Sequence, residues 1–281
     1  MAVTSTRAMM DAAYRAGTGV GAFNVLHLET AEALVAAAEK ADLPVILQIS
    51  ENCVKFHGSL TPIAAATLAI ARESSAEVAV HLDHAEDPDL ALAAIELGFT
   101  SVMYDGAKLD YADNVRETAR VVRAAHAAGV YVEAELGEIG GKDGAHAPGV
   151  RTDPGEAAQF VADTGVDALA VAVGSSHAMT ERTASLDLDL ISEIHRALSV
   201  PLVLHGSSGV PDQAIQAGIE AGLTKINVST YLNTQFTAAI HEFFEANPRV
   251  VDSRKYLGAG RDALRDGAAE LLRLFALKER A

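Results

Sequence analysis

Two histidines and an aspartate stand within four residues in His81-Leu82-Asp83-His84, behind a run of small apolar residues. Two more histidines sit at the ends of similar runs: His177, after Gly174-Ser175-Ser176, and His205, before Gly206-Ser207-Ser208-Gly209. Three neutral imidazoles with an open fourth position suit a catalytic zinc ion, so His84, His177 and His205 are the candidate ligands. The alternative is that each is a hydrogen-bonded residue with a local role. A carboxylate beside a metal-held substrate can exchange protons with a substrate hydroxyl, which makes Asp83 the candidate acid/base. Its alternative is a strand-end cap. His81, two residues deeper, reads as a buried partner rather than a ligand. Glu133 and Glu135 share one side of a strand and must be paired, solvated or metal-facing, with Glu135 nearer the strand end. Asp105 is either another orienting group or the start of a turn.

Two stretches have the composition of an anion nest. HGSSGV (205–210) and NVSTYLN (227–233) each lead into helical sequence, and free backbone amides with the hydroxyls of Ser208, Ser229 and Thr230 suit a phosphate. The same hydroxyls serve equally as helix caps. The glycine-rich connection 137–156, GEIGGKDGAHAPGVRTDPGE, is long for a loop between strand and helix. It reads as a lid carrying Asp143 or His146, or as a plain surface excursion. Lys225 has a strand address, so an amine nucleophile is an alternative to metal chemistry. Taken alone, this inventory leaves carbon–carbon cleavage and hydrolysis both open.

These residues need a scaffold that brings distant strand ends together. Apolar runs occur at 21–25, 45–50, 78–83, 101–106, 131–136, 168–173, 202–207 and 225–230. Helix-like sequence follows each, with apolar residues three and four apart, and AAGV, DTGV and EAGL supply glycine stops before the next run. Eight such units predict a (β/α)8 TIM barrel, with a short N-terminal helix and a C-terminal helical extension. A doubly wound sheet is the competitor, but no Gly-x-Gly-x-x-Gly follows the first strand. No linker or shift in composition divides residues 1–281, so a single barrel domain is expected. Function then belongs at the carboxyl ends of the strands.

A formal charge of −16 argues against nucleic acid as a partner and requires any anionic substrate to be met by a local field. Cys53 is the only cysteine, which excludes an internal disulfide. No stretch has the length of a membrane span and no signal-peptide core opens the sequence, so the cytoplasm is the expected location.

The segments GAFNVLHLE, VAVHLDHAED, SVMYDGAKLDYADNVRET, VEAELGEIGG, DALAVAVGSSH, PLVLHGSSGVP and KINVST resemble the class II, zinc-dependent ketose-bisphosphate aldolases, over nearly the whole chain. The resemblance implies that His84, His177 and His205 bind Zn2+, and that Glu135 stands at a displaced metal position. It implies that Asp83 exchanges the C4 hydroxyl proton, and that Asn227 orients the enediolate of dihydroxyacetone phosphate left on zinc. Gly174, Gly206, Ser208, Ser229 and Thr230 then fall on phosphate-binding turns, beside a monovalent-cation site, and Asn24 and Ser50 line the other arm. A homodimer or homotetramer is implied, with a small phosphorylated sugar as substrate. Four departures stand out. Ala178 replaces a glycine, a lysine is missing from MTERTASLDLDL, and Asn227-Val228-Ser229-Thr230 is nearer the tagatose-type pattern. Asp143 stands in the lid where the family carries a glutamate. Arg254, Lys255 and Arg261 are candidates for a second phosphate site.

Overall fold

The eight apolar runs all become parallel strands in the computed structural model, which describes residues 3–136 and 151–278. They are β1 (Val20–Asn24), β2 (Val45–Ser50), β3 (Val78–Ala85), β4 (Ser101–Tyr104), β5 (Tyr131–Glu135), β6 (Ala168–Ala170), β7 (Leu202–Leu204) and β8 (Leu223–Val228). Each pairs with its neighbours in sequence order, and β1 closes on β8 through Val20–Lys225 to Phe23–Val228, giving a closed barrel. The fold is the (β/α)8 barrel expected.

Around it run α1 (Thr6–Ala16), α2 (Leu28–Ala41), α3 (Glu51–His57), α4 (Leu60–Glu73), α5 (Pro88–Leu97) and α6 (Tyr111–Ala127), then α7 (Pro154–Thr164), α8 (Leu188–Ala197), α9 (Asp212–Ala221), α10 (Thr230–Ala246) and α11 (Ser253–Phe275). Local chemistry sets their ends. Asp153 accepts from the amides of Gly155 and Glu156 ahead of Pro154, and α7 stops at Gly165, whose φ of 72° a side chain would disfavour. The short N-terminal helix is α1 and the C-terminal extension is α11. Among the described residues no single helix is long and apolar enough to cross a membrane; α3 and α4 reach that length only as a pair bent by 114°.

Side chains alternate along each strand, so the barrel interior is built in layers. Val20, Ala22, Ile46, Ala79, Met103, Tyr131, Ala168 and Val203 fill the amino-terminal half, where Met9, Met10 and Ala13 of α1 plug the opening. Burying a side chain such as Met10 contributes about 1.5–3 kcal/mol. One step higher the interior turns polar, with His81, Ser101, Glu133 and Lys225 all buried. Asn24, Ser50, Asp83, Glu135, His205 and Asn227 crown the strands. The outward faces of the strands join the helices in one large apolar core, including Phe23, Leu47, Leu82, Val132 and Ile226.

Candidate active site

Asp83 and His84 are consecutive, so on a regular strand they would face opposite sides. They do not, because the β3–β4 register shifts between Leu82 and Ala85, and His84 adopts φ of 49°. This bulge aims both side chains into one cavity. A non-glycine residue in that region costs about 1–3 kcal/mol, and such strain gathers at functional sites.

The cavity, about 200 Å³, lies at the carboxyl ends of the strands. It is lined by Asn24, Ser50, Asp83, His84, His177, His205, Gly206, Ser208, Asn227, Ser229 and Thr230, all of them candidates from sequence. Gln48, Asn52 and Ala178 also line it. Gln48 interrupts the apolar run VILQIS two residues before Ser50, on the same side of the strand, and that period was its signal. Asn52 sits in the first turn of α3 and had none.

The three histidines meet here. Ring centroids are 4.5 Å apart for His84–His205, 5.1 Å for His84–His177 and 5.8 Å for His177–His205. One nitrogen from each falls within 4.8 Å of the others, and His84, Asp105 and Glu135 form a second such group sharing His84. Either group has the donors for a divalent cation. His84 Nδ1 donates to Asp105 at 2.8 Å, with Glu135 at 3.7 Å, and its buried Nε2 has no hydrogen-bond partner among the described residues. An imidazole held by a carboxylate at one nitrogen and bare at the other is the arrangement of a metal ligand. Burial opposes charge on this ring, yet Asp83, the bond to Asp105 and Glu135 lift it to about 9. The local field calls for a cation. Burial instead holds His205 well below the ordinary imidazole range, so its ring is neutral.

Two amides frame Asp83. Asn24 Nδ2 donates to Oδ2 and Asn227 Nδ2 to Oδ1, each at 3.4 Å, and Gln48 holds Asn24 through a 2.8 Å bond. Asn227 Oδ1 is buried without a hydrogen-bond partner among the described residues. On the other side of the cavity, the loop after β6 docks onto the turn after β7. Ser175 Oγ donates to the His205 carbonyl at 2.6 Å, and Arg182 binds the Val210 carbonyl and Asp212 while lying over the Tyr231 ring. Gly206, at φ of 67°, lets the backbones meet, since a Cβ there would come within 2.6 Å of Ser176. Ala178 adopts φ of 57°, a backbone conformation that glycine takes freely and alanine rarely. Ser208 Oγ accepts from the Tyr231 amide, so the capping alternative holds for this hydroxyl, which still lines the cavity.

Gly174 is not among the lining residues. Its φ of 117° and the Ser185 carbonyl, 2.3 Å from where a Cβ would stand, make it a packing requirement of the loop. Glu135 lies behind His84 rather than on the cavity wall. Lys225 also stays off the wall, pairing with Glu133 at 2.6 Å inside the barrel. Arg254 pairs with Asp252 and Arg261 with Glu32, and neither they nor Lys255 reach the cavity. Asp143 and His146 lie outside the described residues.

The comparisons with known proteins agree with this geometry. The family model for class II fructose-bisphosphate aldolase matches residues 4–280. The chain belongs to the class II aldolase family. A fructose-bisphosphate aldolase of Geobacillus stearothermophilus is 39% identical, over 100% of this chain and 99% of the relative. A sulfofructosephosphate aldolase of Alkalicoccus urumqiensis is 36% identical, over 100% and 99%. Among solved structures, the YdjI aldolase of Escherichia coli K12 is similar with a TM-score of 0.86 and 30% identity, covering 97% of each chain. As a class II aldolase this chain is a metal-dependent carbon–carbon lyase, and hydrolysis, left open by the residues alone, is set aside.

Proposed function

We propose that the protein reversibly cleaves a ketose phosphate or bisphosphate of the fructose or tagatose type, giving dihydroxyacetone phosphate and an aldehyde, with Zn2+ held by His84, His177 and His205. The observation carrying this reading is the placement of Asp83, framed by Asn24 and Asn227, in the cavity that the three histidines line. Zinc there supplies Lewis-acid polarisation of the ketose oxygens. Asp83 is the group that takes the C4 hydroxyl proton in cleavage and returns it in condensation. Asn227, with Oδ1 directed to no protein donor among the described residues, orients the three-carbon fragment. Gly206, Ser208, Ser229 and Thr230 hold its phosphate at the turn before α10. Asn24, Gln48, Ser50 and Asn52 face the aldehyde half through amides and a hydroxyl. Asp143 is assigned the second proton transfer, and a monovalent cation is assigned to the phosphate turns. Family membership supports a cytoplasmic homodimer or homotetramer built from one domain per chain, which light scattering checks.

The test is a panel of ketose 1-phosphates and 1,6-bisphosphates of both stereochemistries, with a sulfonated ketose phosphate added because of the sulfofructosephosphate aldolase relative. Zinc-loaded protein is expected to release dihydroxyacetone phosphate, metal-stripped protein to lose this activity, and added zinc to restore it. Cleavage that survives stripping, with a borohydride-trapped adduct on Lys225, would replace this reading with a Schiff-base mechanism.

A further inference from the structure

A lysine buried to 1% exposure inside the barrel requires a reason. Lys225 Nζ donates to Glu133 Oε2 at 2.6 Å and lies 3.3 Å from His81 Nε2, whose Nδ1 is 2.8 Å from Ser101 Oγ. The other oxygen of Glu133, Oε1, is 2.8 Å from His205 Nε2. One carboxylate therefore bridges the ammonium and a candidate metal ligand. A carboxylate so placed accepts at both oxygens, and an ammonium only donates. His205 must then carry its proton on Nε2. The Asn227 amide nitrogen, 3.2 Å from Nδ1 and 3.3 Å from Nε2, does not choose between the tautomers; the Glu133 carboxylate does.

We propose that Lys225 is a positioning residue of the metal site. By acting through Glu133, it fixes His205 as the Nε2–H tautomer and turns the Nδ1 lone pair toward the cavity. This inference rests on the metal-site reading for its purpose, though not for its geometry. It also gives the buried lysine a task other than Schiff-base chemistry: Lys225 touches neither substrate cavity nor rim, and it acts at one remove.

The donor-only character of lysine supplies a test that a merely structural role would not pass. In E133Q, Lys225 takes the amide carbonyl, so the NH2 group faces His205 Nε2 and donates to it. His205 is expected to invert to the Nδ1–H tautomer, seen in two-bond 15N–1H spectra of ring-labelled, metal-free protein. Zinc affinity is expected to fall roughly 10–100-fold. In the E133Q/K225M double variant the amide is free to turn its carbonyl to His205. The ring should return to Nε2–H, and zinc affinity should recover roughly tenfold over E133Q. A second substitution that repairs the first is the signature of action through residue 133.

An E133Q spectrum with the native tautomer, or a double variant no better than E133Q, would overturn the proposal. If E133Q does not fold, the wild-type spectrum and the double variant, which buries no charge at either position, still decide: a wild-type ring protonated at Nδ1 overturns it as well. If wild-type protein takes up no zinc, the metal reading fails, while the tautomer pattern continues to test the relay.

Discussion

His84 donates to Asp105 across 2.8 Å, so the turn after β4 aims a side chain that rises from β3. Asp105 is itself anchored, accepting from the Ala107 amide at 3.2 Å. Removing the carboxylate as Asp105→Ala leaves Nδ1 without its acceptor and lets the ring rotate. Zinc affinity is expected to drop about 10–100-fold, read by competition with a chromophoric chelator. An unchanged affinity would show that Glu135, at 3.7 Å, is sufficient to hold the ring.

Asp83 separates chemistry from metal binding. Asp83→Asn keeps the shape of the side chain and loses its capacity to accept a proton. We expect kcat to fall by about 10²–10⁴ while zinc content stays at the wild-type level, measured by metal analysis beside initial rates. Lost zinc together with lost activity would instead mean that the carboxylate maintains the metal cluster.

The buried His81 makes the barrel sensitive to acid. Burial, helped by the charge of Lys225, holds its ring well below the ordinary value of 6.5. As the pH falls, the unfolded chain takes up this proton before the folded one. The stability in question is fully present above about 6.5 and is lost as the pH drops below it, at about 1.4 kcal/mol per pH unit for this single proton. His81→Gln should be less stable at neutral pH, with an acid slope shallower by about that amount. Urea unfolding of metal-free protein between pH 7.5 and 5 measures both slopes, and parallel lines would refute the assignment.

Ala178 carries backbone strain that glycine would relieve. Its φ of 57° costs about 1–2 kcal/mol, and the greater freedom of glycine in the unfolded chain opposes part of the gain. Ala178→Gly is expected to stabilise by about 1 kcal/mol or less in chemical unfolding. Gly206→Ala should do the reverse and cost more than about 2 kcal/mol, because its Cβ would press on the Ser176 backbone as well as strain the turn.

Much of this was legible in the sequence because periodicity and strand-end position are local signals. VAVHLD alternates and ends in polar residues, so a barrel turns His81 and Asp83 inward and carries Asp83 to the rim. The same holds for His177 and His205, which later met within one cavity. What escaped depended on contacts between distant elements. The close approach of the Ser185 carbonyl to Gly174, which leaves no room for a Cβ there, has no mark in the local sequence. Lys225 reads as a free amine, but Glu133, 92 positions away, occupies it. The bulge at His84 has no sequence mark, since histidine has no preference for that backbone region comparable to glycine's.

That bulge also constrains how the protein changes over time. One backbone irregularity sets the direction of both the proposed base and a proposed ligand, so a mutation that straightens β3 disables both together. Selection can hardly adjust one without the other. Asn24, Gln48, Ser50 and Asn52 stand on regular elements, where an exchanged side chain leaves the course of the backbone unchanged, although Asn24 and Gln48 are tied to each other and to Asp83. New aldehyde partners are therefore expected to arise by substitution on that wall, with the strand that carries the chemistry inherited whole.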